Sequence, residues 1–328
     1  MQMQFICKYF FGGLSKMLRK LRKMTAVLLG FLAAVSFSAC GKVGSSSSEN
    51  SRQPSGKKVK VSVSFNAMKE FAEAVGRDKV EISTIIPDGT EPHDFQPKAK
   101  DLANLSSAQV FVYSGFGMEQ WAKRAVEATN NPELVVVEAS KSAEPIKNTD
   151  AGEIKEHGQY DPHIWLSLKG AEIEAKNIRD GLIKADPDDR DYFTKNYNSF
   201  SAEIESLISE YKTKFSKTKS KSFVTGHAAF AYLCRDFGLQ QNSVEDVFAE
   251  GEPSAKKLAG LVDYCKKNHV KTVFVEDMVS PNVSQTLANQ VGAKVEQIYT
   301  IESSEKNKNY IDRVKSNLQE IYSSLTEQ

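Results

Sequence analysis

Apolar runs alternate with amphipathic stretches along the chain from residue 57 onward. Residues 58–65 alternate apolar and polar positions with a period of two, which predicts a half-buried strand. Further strands are predicted at 80–86, 110–113, 134–137, 222–225, 272–275 and 294–299. Apolar residues three and four positions apart predict helices at 68–76, 99–105, 118–128, 171–183, 228–237, 255–268, 284–291 and 309–325. This alternation predicts an α/β protein whose parallel sheets are covered on both faces.

The longest helical pattern covers residues 188–215 and carries one apolar stripe. At 1.5 Å per residue this helix would be about 40 Å long, enough to connect two lobes. A chain of 328 residues is longer than one core usually organises. We therefore expect an N-terminal lobe at 57–187, a linking helix at 188–217 and a C-terminal lobe at 218–328.

The first 40 residues have the pattern of a signal peptide. A cationic region up to Lys23 precedes an apolar run at 26–37, which is too short for a spanning helix. Small residues then lead to Cys40, and this junction resembles a bacterial lipobox with Phe37 in place of the usual aliphatic residue. We expect Cys40 to be lipidated and to anchor the protein outside the cytoplasmic membrane, the alternative being a cleaved signal with an incidental cysteine. The serine-rich residues 41–56 are predicted to be a flexible tether.

Composition and charge exclude little. The chain is 26% charged and 40% hydrophobic, which is ordinary for a globular protein. A formal net charge of +1 gives no electrostatic reason to expect a nucleic-acid partner. Beyond the leader, Cys234 and Cys265 are the remaining cysteines; outside the cell they could form a disulfide, and two buried thiols are the equal alternative.

Three of the five histidines stand at junctions between a predicted strand and a predicted helix, namely His93, His163 and His227. Ligands of open parallel sheets bind outside the carboxyl ends of the strands, so these side chains are expected to share one site. Neutral imidazole suits zinc and similar metals, and one carboxylate would lower the charge of the site. Glu302 and Glu276, each just past a strand, compete for the fourth position.

His157 differs from these three histidines. It lies in the polar, aperiodic segment 140–160, where a solvated loop residue is the expectation. An auxiliary role in metal capture is the alternative.

Several motifs together resemble the metal-binding solute receptors of ABC importers, which are the zinc and manganese receptors related to zinc-uptake and adhesin lipoproteins. They are Pro92-His93-Asp94-Phe95, the run 161–166 around His163, the run 227–233 that begins at His227, Glu252-Pro253-Ser254 and Phe274-Val275-Glu276. The resemblance covers essentially everything after the tether. It implies two α/β lobes bridged by one long helix, with the metal held in the cleft between them.

The resemblance also implies roles for individual residues. His93, His163 and His227 match the histidine ligands of the family, and Glu302 matches the acidic fourth ligand. Glu276 matches a shared glutamate beside the cleft that is not usually a ligand. Many zinc receptors carry a histidine-rich loop before the second motif, whereas segment 140–160 offers only His157.

The expected function is capture of a divalent metal, zinc first, outside the cell and its delivery to an ABC permease. We expect a monomeric binding protein that is not an enzyme. A manganese receptor of the same type is the first alternative, but that class places a glutamate where this chain has His227, and manganese prefers oxygen ligands. A zinc hydrolase is a second alternative; it is disfavoured because no His-Glu-x-x-His motif occurs and a catalytic zinc keeps one position open. A surface adhesin is the third alternative.

Overall fold

The structure is a computed structural model, and it describes residues 57–149, 154–155, 158–248, 253–276 and 280–327. The predicted signal peptide with Cys40, the tether, His157 and Glu252 lie outside these residues. None of the helices in the described part of the chain combines the length and apolar content that crossing a membrane requires.

The first sheet is parallel and has the order β2-β1-β3-β4. Its strands are β1 (Val59–Val63), β2 (Val80–Thr84), β3 (Val110–Tyr113) and β4 (Val135–Glu138). Val61 of the central strand pairs with Ile82 on one side and Val110 on the other. Helices α1 (Asn66–Gly76), α2 (Ala122–Thr129) and α3 (Leu168–Ala185) accompany the sheet.

Helix α4 (Arg190–Ser216) is the long helix that the sequence predicts. It follows a 3-10 turn at Pro187–Asp189, where the proline ends the preceding helix. Its buried stripe includes Phe193, Phe200, Ile204, Leu207, Tyr211 and Phe215. The helix packs on α1 and α3 beside the first sheet and continues to contacts with the second half of the molecule.

The second sheet repeats the topology of the first, with the order β6-β5-β7-β8 and parallel pairing throughout. Its strands are β5 (Ser222–Thr225), β6 (Gln240–Ser243), β7 (Thr272–Glu276) and β8 (Lys294–Ile298). The accompanying helices are α5 (Ala231–Phe237), α6 (Ala255–Lys267), α7 (Pro281–Val291) and α8 (Tyr310–Thr326). Helix α4 also contacts α5 and α8, so the predicted fold of two α/β lobes bridged by one long helix is confirmed.

One apolar core runs from the first sheet across the bridging helix to the second half of the chain. Phe71 of α1, for example, packs edge-on against Tyr310 of α8, with ring centroids 4.7 Å apart. A smaller cluster lies around Val224, Val273 and Leu287 beside the second sheet. Because the larger core is continuous, the two lobes are held together by buried apolar contacts as well as by the chain.

One secondary-structure prediction is wrong, and one strand was missed. Residues 99–105 are not a helix: they form turns that lead into a 3-10 helix at Leu105–Ser107, and the carboxylate of Asp101 accepts a hydrogen bond from the backbone N–H of Lys98. Strand β6 was not predicted, because Gln240–Ser243 contains no apolar side chain. It is an edge strand whose pairing with β5 comes from the backbone, a feature that hydrophobic periodicity does not show.

The two cysteines of the globular part are free thiols, and no disulfide joins them. Cys234 belongs to the large core and Cys265 to the smaller one. Burial raises the pKa of the Cys265 thiol to about 11, and it raises the pKa of Cys234 further. The structure thus has the buried thiols in place of the disulfide alternative.

Candidate metal centre

Four of the predicted site residues meet in one cluster, namely His93, His163, His227 and Glu302. Each offers one ligand atom, and these atoms all lie within 4.8 Å of one another. Nε2 of His163 is the central atom, 3.1 Å from Nε2 of His93 and 3.2 Å from Nε2 of His227. The side chain of His93 is 2% exposed, and the other three residues are buried.

The cluster draws on loops at the carboxyl ends of strands from both sheets. His93 lies in the loop after β2, and His163 immediately precedes the 3-10 helix Ile164–Leu166. His227 follows β5 by two residues, and Glu302 follows β8. The site therefore lies between the two lobes, at the edge where parallel sheets commonly bind ligands.

Asp161 orients His163. Its Oδ1 atom accepts hydrogen bonds from the backbone N–H of His163 and from Nδ1 of the ring, both at 2.9 Å. Because Nδ1 donates to this carboxylate, the proton sits on Nδ1 and the lone pair of Nε2 faces the cluster. The carbonyl of Asp161 in turn accepts a 2.7 Å hydrogen bond from the hydroxyl of Tyr232 on α5. Asp161, His163 and Tyr232 are all buried, so these hydrogen bonds fix the orientation of the His163 ring.

Glu276 lies behind His227 and is not one of the four converging residues. Its Oε1 atom accepts a 3.1 Å hydrogen bond from the backbone N–H of His227 and lies 3.8 Å from Nδ1 of the ring. Burial lowers the pKa of His227 well below its usual 6.5, and the neighbouring His163 lowers it further. This lowered pKa favours the neutral form of His227, which is the form that coordinates metals.

His93 is held by its own loop and by an aromatic neighbour. The backbone N–H of His93 donates a 3.1 Å hydrogen bond to Oε1 of Glu91. The ring meets Phe248 edge-on, with centroids 5.3 Å apart. Phe248 therefore packs directly against this imidazole.

Glu302 is linked through Thr300 to the turn that carries His163. The indole Nε1 of Trp165 donates a 2.8 Å hydrogen bond to the carbonyl of Thr300, and the hydroxyl of Tyr310 donates at 2.8 Å to the carbonyl of Trp165. The Thr300 hydroxyl donates at 2.9 Å to Oε2 of Glu302. The turn that carries His163 and the segment that carries Glu302 are therefore joined by a buried hydrogen bond between Trp165 and Thr300, each of which lies two residues from the proposed ligand.

Residue patterns indicated the three histidines and left Glu302 and Glu276 as alternatives for the fourth position, and the family resemblance favoured Glu302 and placed Glu276 beside the cleft. They did not reveal that Asp161 orients His163 or that Trp165 binds the backbone next to Glu302. The position of Asp161, two residues before a histidine and followed by proline, is the signal that could have indicated the first role. The contact of Trp165 joins residues 135 positions apart in the sequence, and no local pattern predicts it.

The donor set fits a four-coordinate metal ion. A tetrahedron with zinc–nitrogen bonds of about 2.0–2.1 Å has edges of about 3.3 Å. The two Nε2–Nε2 distances of 3.1 and 3.2 Å are close to that edge. Three imidazole nitrogens with one carboxylate oxygen are a donor set that zinc accepts readily.

Comparison with known proteins agrees with this geometry. The sequence profile of the family described as "ZnuA: Zinc-uptake complex component A periplasmic" matches residues 61–324. The high-affinity zinc uptake system protein ZnuA of Bacillus subtilis (strain 168) is 36% identical over 311 residues, covering 90% of this chain and 96% of that protein.

Two solved structures show the same fold. A zinc-bound deletion mutant of ZnuA is 30% identical with a TM-score of 0.73, covering 83% of this chain and 100% of that one. The laminin-binding protein Lmb of Streptococcus agalactiae, described as a bifunctional protein with adhesin and metal transporting activity, is 34% identical with a TM-score of 0.74, covering 82% and 100%. With its profile match over most of the chain, this protein belongs to the periplasmic zinc-uptake component A (ZnuA) family.

Proposed function

We propose that this protein captures zinc outside the cytoplasmic membrane and delivers it to an ABC permease. The observation that carries the proposal is the convergence of three histidine Nε2 atoms and one buried carboxylate within 4.8 Å of one another, with two Nε2–Nε2 distances close to the edge of a zinc tetrahedron. Family membership supports zinc uptake as the function, because the family is described as component A of a zinc-uptake complex. His93, His163, His227 and Glu302 are the proposed ligands.

Zinc is the cargo in this proposal, and binding rather than catalysis is the role of the site. Four protein ligands fill a tetrahedron, so no position remains for the activated water that a zinc hydrolase needs. Glu276 supports His227 from behind and takes no place among the ligands. The zinc-uptake family assignment does not favour the hydrolase alternative. The adhesin activity named for Lmb is a property of that protein, and the site gives it no support here.

Selectivity for zinc over manganese follows from the donor set. Manganese prefers oxygen donors and higher coordination numbers, whereas three of the four donors here are imidazole nitrogens. The intrinsic affinity order also places zinc above manganese for one and the same set of ligands. Manganese is therefore the weaker competitor at this site.

The proposal extends to the regions that flank the site. Residues 1–40 act as a signal peptide, Cys40 is lipidated, and residues 41–56 tether a monomeric body to the membrane. The body divides into an N-terminal lobe at 57–187, a linking helix at 188–217 and a C-terminal lobe at 218–328. Replacement of Cys40 by serine is expected to move the protein from the membrane fraction to the soluble fraction, and a membrane-bound Cys40→Ser variant would contradict the anchor.

Competition titration tests the metal assignment. Metal-free protein is titrated with zinc and with manganese against a chromophoric chelator, and bound metal is counted by elemental analysis. The expected result is one zinc per chain, with zinc displacing manganese at equal concentrations. Manganese binding as tightly as zinc would refute the zinc assignment.

A further inference from the structure

Glu302 lies on a buried segment whose backbone conformation is unusual. Ile301, the preceding residue, has φ +62° and a fully buried side chain. A branched side chain disfavours this left-handed region, because Cβ approaches the neighbouring carbonyl oxygen. Such a conformation persists only where surrounding contacts hold it. The contacts around Ile301 therefore indicate how Glu302 is placed.

Two buried side chains hold the carbonyl groups on either side of Glu302. The amide Nδ2 of Asn66 donates a 3.3 Å hydrogen bond to the carbonyl of Ile301. Nη1 of Arg313 donates a 2.6 Å hydrogen bond to the carbonyl of Ser303. Asn66 begins α1 and Arg313 lies on α8, so the segment is hydrogen-bonded by two helices that are far apart in the sequence.

Glu70 joins the two donors into one unit. Its Oε1 atom accepts a 2.8 Å hydrogen bond from Nδ2 of Asn66, one helical turn earlier, and forms a close ion pair with Nη2 of Arg313. The side chain of Arg313 is 0% exposed and that of Glu70 is 10% exposed. Charge compensation alone would explain why Arg313 has a carboxylate partner. It would not explain why both donors to that carboxylate also bind the carbonyls that flank Glu302.

We propose that Asn66, Glu70 and Arg313 form a carbonyl clamp that positions Glu302 for the metal ion. These three are positioning residues, and the inference rests on the proposed function with Glu302 as a ligand. Helix α1 packs on the first sheet, whereas Glu302 follows the last strand of the second. The carbonyl clamp thereby makes the placement of the fourth ligand depend on contact between the two lobes.

The main variant removes the ion pair without leaving a buried charge. Glu70→Leu with Arg313→Met replaces both partners by apolar side chains, a change that buried ion pairs often tolerate without loss of stability. The control variant, Lys79→Met with Asp189→Leu, removes a 2.9 Å ion pair that does not touch segment 300–303. Each double variant is made in the unaltered protein and in a Glu302→Gln background.

Zinc affinity of the metal-free proteins, measured by chelator competition, is the main readout, and urea unfolding checks that each variant is folded. The carbonyl-clamp variant should lose about 10- to 100-fold in zinc affinity, the usual effect of removing a group that orients a ligand. In the Glu302→Gln background the same change should cost less than about 2-fold, because the ligand that it positions is already lost. The control variant should bind zinc as the unaltered protein does.

Three results would overturn the carbonyl clamp. An equal loss in both backgrounds would show a general structural effect, and an unchanged affinity would show that Glu302 is placed without the clamp. Zinc binding by Glu302→Gln as tight as in the unaltered protein would remove Glu302 as a ligand while leaving zinc capture intact. Absence of zinc binding by the unaltered protein would overturn the proposed function itself. If the double variant does not fold, Asn66→Ala and Ile301→Gly take its place. Their zinc affinities are measured in the unaltered and Glu302→Gln backgrounds and judged by the same criteria.

Discussion

Removal of the Asp161 carboxylate should weaken zinc binding although Asp161 is not a proposed ligand. Its Oδ1 atom holds both the backbone N–H and the Nδ1–H of His163 at 2.9 Å. Without it the ring can adopt the other tautomer, which places a proton on the nitrogen that faces the metal. Loss of such an orienting carboxylate typically costs about 10- to 100-fold in affinity, or about 1.4–2.7 kcal/mol.

Two substitutions separate the charge from the hydrogen bond. Asp161→Asn keeps an oxygen acceptor near Nδ1 and should lose about 10-fold, whereas Asp161→Ala should approach 100-fold. Asp236→Asn is the matched control: this buried aspartate accepts a 2.6 Å hydrogen bond from the Ser167 hydroxyl and does not touch the cluster. Chelator competition at constant pH gives the affinities. Zinc binding by Asp161→Ala that equals that of the Asp236→Asn control would refute the argument.

Zinc should raise the unfolding temperature, since only the folded site binds the ion, and substitution of alanine for His93, His163 or His227 should reduce this rise. The control His269→Ala, at an exposed residue, should leave the rise unchanged. An equal reduction in the control would contradict the ligand set. His157→Ala should also change the rise little. Burial holds the pKa of His227 well below 6.5, so below about pH 6.5 the unfolded chain binds a proton that the folded one does not. Stability of the metal-free protein in urea should therefore fall as pH decreases below that value, and a slope unchanged in His227→Ala would contradict this. Burial raises the pKa of Glu174 well above 4.5, so the unfolded chain loses a proton that the folded one keeps as pH rises past 4.5. Glu174→Gln should accordingly be more stable than the unaltered protein at pH 7 but not at pH 4, and a difference independent of pH would count against it. His227→Glu should narrow the affinity gap between zinc and manganese in competition titration, because it adds an oxygen donor.

Hydrophobic periodicity predicted the parallel α/β lobes and the bridging helix because those elements bury strong apolar patterns. It failed at β6, where Gln240–Ser243 pairs through its backbone, and at residues 99–105, where side-chain and backbone hydrogen bonds favour turns. Both failures concern segments whose conformation is decided by hydrogen bonding to neighbours rather than by burial. Periodicity carries no information about such bonds.

The proposed ligands of the candidate site were also predictable from the sequence, whereas the residues that position them were not. Histidines at strand ends were recognisable because residue type and position together imply chemistry, and the structure brings His93, His163 and His227 together with Glu302. The buried side chains that bind the carbonyl groups on either side of Glu302 were not recognisable from the sequence. Asn66 and Arg313 lie 235 and 10 residues from their respective carbonyl partners, and only the folded chain brings these groups together.

X-ray absorption at the zinc edge shows whether three histidines and one glutamate hold the ion. The protein is loaded with one equivalent of zinc, and its spectrum is compared with that of the Glu302→Gln variant. We expect four light-atom donors with zinc–nitrogen distances near about 2.0–2.1 Å, three of them with the multiple scattering of imidazole. A spectrum with fewer than three imidazoles, or with sulfur in the first coordination sphere, would contradict this ligand set.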